Sequence, residues 1–109
     1  MIEDSALRLE TVMDFGAHMP SPPANVACNE IHGCASRVQI CRDGNNFYGT
    51  ADSALVRGVV AIITAMVDGK SPDEIRKMDI AGEFASLRLQ LGAGRMNGVN
   101  SMISFLKNL

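Results

Sequence analysis

The stretch SRVQICRDGNNFYGTADSALVRGVVAIITAMVDGK, residues 36–70, carries two periodicities back to back. Over 36–42 the residues alternate, with Val38 and Ile40 on one face and Arg37, Gln39 and Cys41 on the other, as in a half-buried strand. Asp43-Gly44 is a strong hairpin signal, and 45–50 is predicted to return as a second strand. Two strands alone are marginal in water, so this ribbon needs a third strand or a bed of helices. From 53 to 68 the period becomes helical. Leu55, Val56, Val59, Val60, Ile62, Ile63, Met66 and Val67 cover so much of the circumference that a central buried helix is expected. Asp52 or Ser53 can cap its start and Gly69 its end.

Upstream, 5–18 reads as a helix with Leu9, Val12, Met13 and Phe15 as its apolar stripe. MPSPPAN (19–25) stops it, because proline lacks the N–H that a helix needs. Downstream, Ser71-Pro72-Asp73-Glu74 combines an N-cap serine, an N1 proline and a glutamate three residues after the cap, which predicts a capping box. Asp79 is expected to cap a helix reaching about residue 88. Gly92 and Gly94 then interrupt the chain before a last helix over 95–107, with Met96, Val99, Ile103 and Leu106 at helical spacing. The expected architecture is α+β: a small antiparallel sheet packed against several helices, in a single domain over 1–109.

The bulk numbers fit a globular chain of 109 residues, 47% hydrophobic and 20% charged. A net charge of −2 offers no basic face for phosphate, so no nucleic-acid partner is expected. The N-terminus lacks the basic start and apolar core of a signal peptide. The most apolar run, 59–67, is far shorter than the ~20 residues needed to cross a bilayer, so no membrane partner is expected. The expected location is cytoplasmic, where disulfides are rare and three cysteines are more readily reduced, reactive or metal-bound.

Those cysteines leave several chemistries open. Cys28, His32 and Cys34 fall within residues 28–34, and Cys41 follows, giving the four soft ligands of a closed zinc site. Their spacing is poor for a paired-cysteine knuckle, and Cys41 lies inside the predicted strand. Cys28 and Cys41 read better as small buried hydrophobes. Cys34 differs in its setting. Gly33 permits backbone turns barred to other residues, and Ala35 and Ser36 leave the thiol uncrowded, so a loop can present it. A thiolate there would be favoured by nearby positive groups, with Arg37, His32 and Arg95 as candidates. A protease-like Cys/His pair is set aside: the chain has only His18 and His32 and is too short to build a cleft easily. Asp52 and Arg95 each have plain explanations, as a helix cap and as a solvated charge.

Four motifs in fixed order add to this reading. Gly33-Cys34-Ala35-Ser36-Arg37-Val38, Ala51-Asp52-Ser53-Ala54-Leu55-Val56-Arg57-Gly58, Gly69-Lys70-Ser71-Pro72-Asp73-Glu74-Ile75, and Arg95-Met96-Asn97-Gly98 with Ser101-Met102-Ile103 together resemble the SufE family. The resemblance runs from about Phe15 to Leu106. It implies the α+β fold shared with IscU-type scaffolds and a role as sulfur acceptor for a SufS-type cysteine desulfurase. Cys34 would take the persulfide sulfur, stimulating the desulfurase, and pass it to an iron–sulfur cluster assembly scaffold. Gly33, Ser36, Asp52, Arg95 and Asn97 would support it, without a cofactor or metal. Such a protein is not an enzyme by itself, and a monomer or weak homodimer is expected. The alternative is a zinc-binding or IscU-like scaffold protein using Cys28, Cys34 and Cys41. The run 87–94 before Arg95 is shorter than its counterpart in the family and lacks the family's histidine and proline.

Overall fold

A computed structural model describes residues 5–33, 37–89 and 91–109, with side chains from residue 10 onward. The order is α1 (Ser5–Ala17), β1 (Ala27–Glu30), β2 (Val38–Asp43), β3 (Asn46–Ala51), α2 (Ala54–Val67), α3 (Pro72–Lys77), α4 (Ile80–Ala85) and α5 (Ala93–Lys107). The three strands form one antiparallel sheet in the order β1-β2-β3. This is the expected α+β class.

The hairpin and the central helix organise the rest. Val38, Ile40, Phe47 and Ala51 are buried and meet α2, whose Val59, Val60, Ile63 and Val67 are buried in turn. Burying a valine- or isoleucine-sized side chain contributes roughly 1.5–3 kcal/mol, so this layer holds much of the fold's stability. Ser53, rather than Asp52, caps α2 by accepting from the Val56 N–H at 3.4 Å. Thr64, the buried polar residue of that helix, satisfies its hydroxyl on the Val60 carbonyl at 2.9 Å. The turn differs by one residue from the expected one. Asp43 pairs with Asn46, so Gly44 and Asn45 are the central residues. Gly44 has φ 63° and Asn45 is not left-handed, the pattern of a turn with glycine first.

Helix α1 crosses α2 through glycine. A Cβ on Gly58 would stand 2.1 Å from the Val12 carbonyl oxygen, and one on Gly16 would stand 2.4 Å from the Gly58 nitrogen. Backbone meets backbone there, and no side chain fits between. Val12 is buried in the crossing, whereas Phe15 is 49% exposed and does not belong to the apolar stripe expected of it.

The third strand that the hairpin needs is β1, which no periodicity in the sequence announces. After the prolines, Asn25 takes a left-handed φ of 69°, one that asparagine tolerates better than most residues, ahead of the Ala27–Glu30 strand. All four β1 residues are exposed, so no alternation appears. The capping box is present: Ser71 accepts from the Glu74 N–H at 3.2 Å, and Glu74 accepts from the Ser71 N–H at 2.9 Å. Those bonds hold the Glu74 carboxyl below its ordinary pKa, the Ser71 backbone bond being the largest cause. Asp79 caps α4 as expected, but that helix ends at Ala85. α5 starts at Ala93 with Gly92 as its N-cap residue, so Gly94 lies in its first turn rather than breaking the chain.

Candidate functional site

The candidate site is the turn joining β1 to β2. Cys34 and Ser36 themselves lie outside the described residues, but both ends of the turn are fixed. Ile31, one residue past β1, is 6% exposed, and its N–H donates to the Val38 carbonyl at 2.9 Å. This anchors the entry and the exit of the turn to each other and to the core. His32 is exposed at the turn. Gly33 follows with φ 90°, a conformation that L side chains rarely adopt, and a Cβ there would meet the Ser101 hydroxyl at 2.6 Å. At the other end, the Arg37 carbonyl accepts from the Asp52 N–H at 3.2 Å. Residues 34–36 therefore span from a glycine lying against α5 to an arginine tied to the end of β3.

Asp52 is thus brought to the site, exposed, between β3 and the cap of α2. Arg37, Gln39, Thr50, Ala51 and Asp52 line a shallow, largely polar cleft of about 250 Å³ beside the exit of the turn. Arg37 also approaches Glu30 at 3.8 Å, with both side chains largely in solvent. Such a pair contributes between zero and about 1 kcal/mol.

Arg95 and Asn97 part company. Asn97 lies four residues before Ser101, one helical turn along the same face of α5 that meets Gly33. Arg95 lies on a different face, since six residues along an α-helix is not a whole number of turns. Its guanidinium donates back to the Leu91 carbonyl at 3.3 Å, within the run that is shorter than in the family. That bond points Arg95 back along the chain rather than toward Gly33. Ser101, which touches the turn, was not among the expected site residues. The signal available in the sequence was its four-residue spacing from Asn97.

The two remaining cysteines correct the sequence reading. Cys28 and Cys41 are not separate buried thiols, nor zinc ligands. They form a disulfide across β1 and β2, with S–S 2.05 Å. The reason is register. Cys28 lies directly opposite Cys41. The Ile31–Val38 bond makes 31/38, and by alternation 29/40 and 27/42, the hydrogen-bonded pairs. Cys28/Cys41 is then a non-hydrogen-bonded pair, the kind whose side chains approach most closely. With its sulfur bonded to its partner, neither cysteine offers a thiolate to a metal, so the set Cys28, Cys34 and Cys41 is dismantled. Without β1, whose exposed residues hide the strand, this pairing could not be read from the sequence.

Comparison with known proteins places this architecture. The family described as SufE, Fe-S metabolism associated domain, matches residues 1–109. An uncharacterised SufE-like protein of Rhizobium meliloti is 32% identical over 113 residues, covering 93% of this chain and 81% of the relative. The sulfur acceptor protein CsdE of Escherichia coli is 30% identical over 97 residues, 81% of this chain and 66% of CsdE. A solution structure of a hypothetical protein from Thermus thermophilus shares the fold, with a TM-score of 0.72 at 18% identity over 96% of this chain and 82% of its own. With its family model matched from end to end, its three-stranded sheet and its helices, the chain belongs to the SufE family.

Proposed function

We propose that this protein is a sulfur carrier whose Cys34 accepts persulfide sulfur from a SufS-type cysteine desulfurase, stimulates that enzyme, and delivers the sulfur to an iron–sulfur assembly scaffold. The observation that carries the reading is the turn itself. Its entry and exit are clamped by Ile31 and Val38, its second residue, Gly33, is at φ 90°, and its exit meets a polar cleft beside Asp52. A thiol carried between two such anchored ends suits handing an atom between two proteins. Relationship to a sulfur acceptor, CsdE, supports the same role.

The step is a sulfur transfer without net redox change. The Cys34 thiolate attacks the terminal sulfur of the partner's persulfide, a new S–S bond forms on Cys34, and the partner's cysteine leaves as thiolate. The proton on the transferred sulfur travels with it or is lost to water. No cofactor takes part, and the chain acts as an acceptor rather than as an enzyme by itself. Gly33 gives the turn its shape, Ser36 follows the thiol in the chain, Asp52 lines the cleft at the exit of the turn, and Asn97 shares the α5 face that meets Gly33. Arg95 belongs to the same set through its motif. The single domain over 1–109, a cytoplasmic location and a monomeric or weakly dimeric state complete the reading.

The test is direct. Incubation with a SufS-type desulfurase and free cysteine, followed by intact mass under non-reducing conditions, should add one sulfur atom to the wild type. Cys34→Ser should gain none. An adduct that persists in Cys34→Ser would overturn the assignment.

A further inference from the structure

The bridge between Cys28 and Cys41 lies outside the sulfur-transfer step, yet it joins the two strands that carry the Cys34 turn. Its two halves are unlike. Cys28 is exposed on edge strand β1, whereas Cys41 is fully buried in the central strand. Thiol–disulfide exchange begins with a thiolate reaching one sulfur, and only Cys28 stands where an external thiol can arrive. Beyond its backbone ladder to β2, strand β1 has little else to hold it. Its four residues are exposed, and among the described residues it makes extensive contact with β2 alone. Its ion pair, Glu30 to Arg37, is largely solvated. Ile31 anchors the far end, and the bridge adds a covalent tie to the backbone ladder of the strand's other half.

We infer that the Cys28–Cys41 bridge is a thiol-exchange site, entered at Cys28 by a dithiol reductant, whose state sets the freedom of the strand leading into the Cys34 turn. A reductant thiolate attacks the Cys28 sulfur, and Cys41 leaves as thiolate and takes a proton. The reductant's second thiolate then attacks the mixed disulfide, releasing the Cys28 thiol and a disulfide in the reductant. Two electrons pass from the dithiol to the bridge. With the bridge open, β1 separates from β2 more often, and Cys34 becomes easier to reach. Closed, the bridge holds the turn to its base. The link to Cys34 rests on the sulfur-carrier reading; the exchange site does not.

The experiment uses the whole chain with its 3 cysteines. Protein isolated without reductant and denatured in N-ethylmaleimide should take one label, and protein first reduced with dithiothreitol should take three. Cys41→Ala should form a glutathione adduct at Cys28, while Cys28→Ala should leave Cys41 unmodified. On reduction of the wild type, amide exchange over residues 27–31 should accelerate about tenfold while that of α2 stays fixed. Alkylation of Cys34 should quicken by a similar factor. The wild-type arm requires no variant to fold. The inference is overturned if the bridge does not form, if the adduct prefers Cys41, or if reduction moves neither exchange nor alkylation. None of these readouts uses a desulfurase, so a failure of sulfur acceptance would sink the proposed function and leave this inference standing.

Discussion

The two edges of the sheet are secured by different means. β3 lies against α2, where Gly49 comes so close that a Cβ would stand 2.2 Å from a Val60 methyl. Its open side is guarded as well. The outward N–H of Phe47 donates to Asp68 at 2.9 Å, and the outward carbonyl of Ala51 accepts from Arg57 at 3.2 Å. Charged side chains placed in this way keep a foreign strand from pairing with an exposed edge. Among the described residues β1 has neither bed nor guard, and a covalent bond reinforces its ladder to β2. One edge is fastened by packing, whose strength does not depend on redox conditions. The other is fastened by chemistry that a thiol can undo, and that edge carries the turn with the candidate acceptor cysteine.

The contrast breaks most sharply under truncation. Val60→Ala removes methyl groups from beneath β3 and should cost about 2–3 kcal/mol, read from urea unfolding. Asn29→Ala, on β1, should stay within about 0.5 kcal/mol. Similar losses at both sites would show that β1 has a packing role after all. A smaller effect is expected at the β3 guard. Asp68→Ala leaves the Phe47 N–H without its partner and should cost about 1 kcal/mol in the same measurement. It should also raise amide exchange at Phe47 without touching residues 27–31. No change at Phe47 would remove the guard from the account of that edge.

The smallest effect lies away from both edges and calibrates them. The folded Glu74 carboxyl titrates below its ordinary value of 4.5. Its contribution is therefore complete above that value and disappears as the pH falls through the lower folded one. Glu74→Gln should show a shallower loss of stability below about pH 4.5 in a series of urea midpoints, with the two edges affected alike. An unchanged acid limb would mean that the capping bonds do not favour the ionised form.

Legibility in the sequence followed burial. β2, β3 and α2 each bury one face or most of their circumference, so apolar spacing revealed them. The Ser71 cap was equally plain, because its chemistry lies within four consecutive residues. β1 buries nothing and left no pattern, and the disulfide went unseen with it, since only the register of β1 on β2 brings Cys28 to Cys41. At the site, the motifs contain Gly33 of the turn and Asp52, whose N–H donates to the Arg37 carbonyl at its exit. They did not foresee Arg95 bonding back to Leu91, nor Ser101 meeting Gly33. Those two depend on which face of α5 looks inward, and a helix that begins at Ala93 rather than 95 fixes that only once the fold is assembled.

The end of α2 settles a question that the turn residues left ambiguous. Asp43-Gly44 and Gly44-Asn45 are both acceptable hairpin centres, and the choice between them decides which backbone N–H and C=O groups of β3 point away from β2. The Gly69 N–H grips the Asn45 carbonyl at 2.7 Å, and Asp68 takes the Phe47 N–H. Two contacts at consecutive outward positions act as a gauge against which the ribbon is indexed. Moving the turn back by one residue would misalign both and point the Phe47 N–H toward β2. The helix that follows the hairpin therefore decides where the hairpin turns.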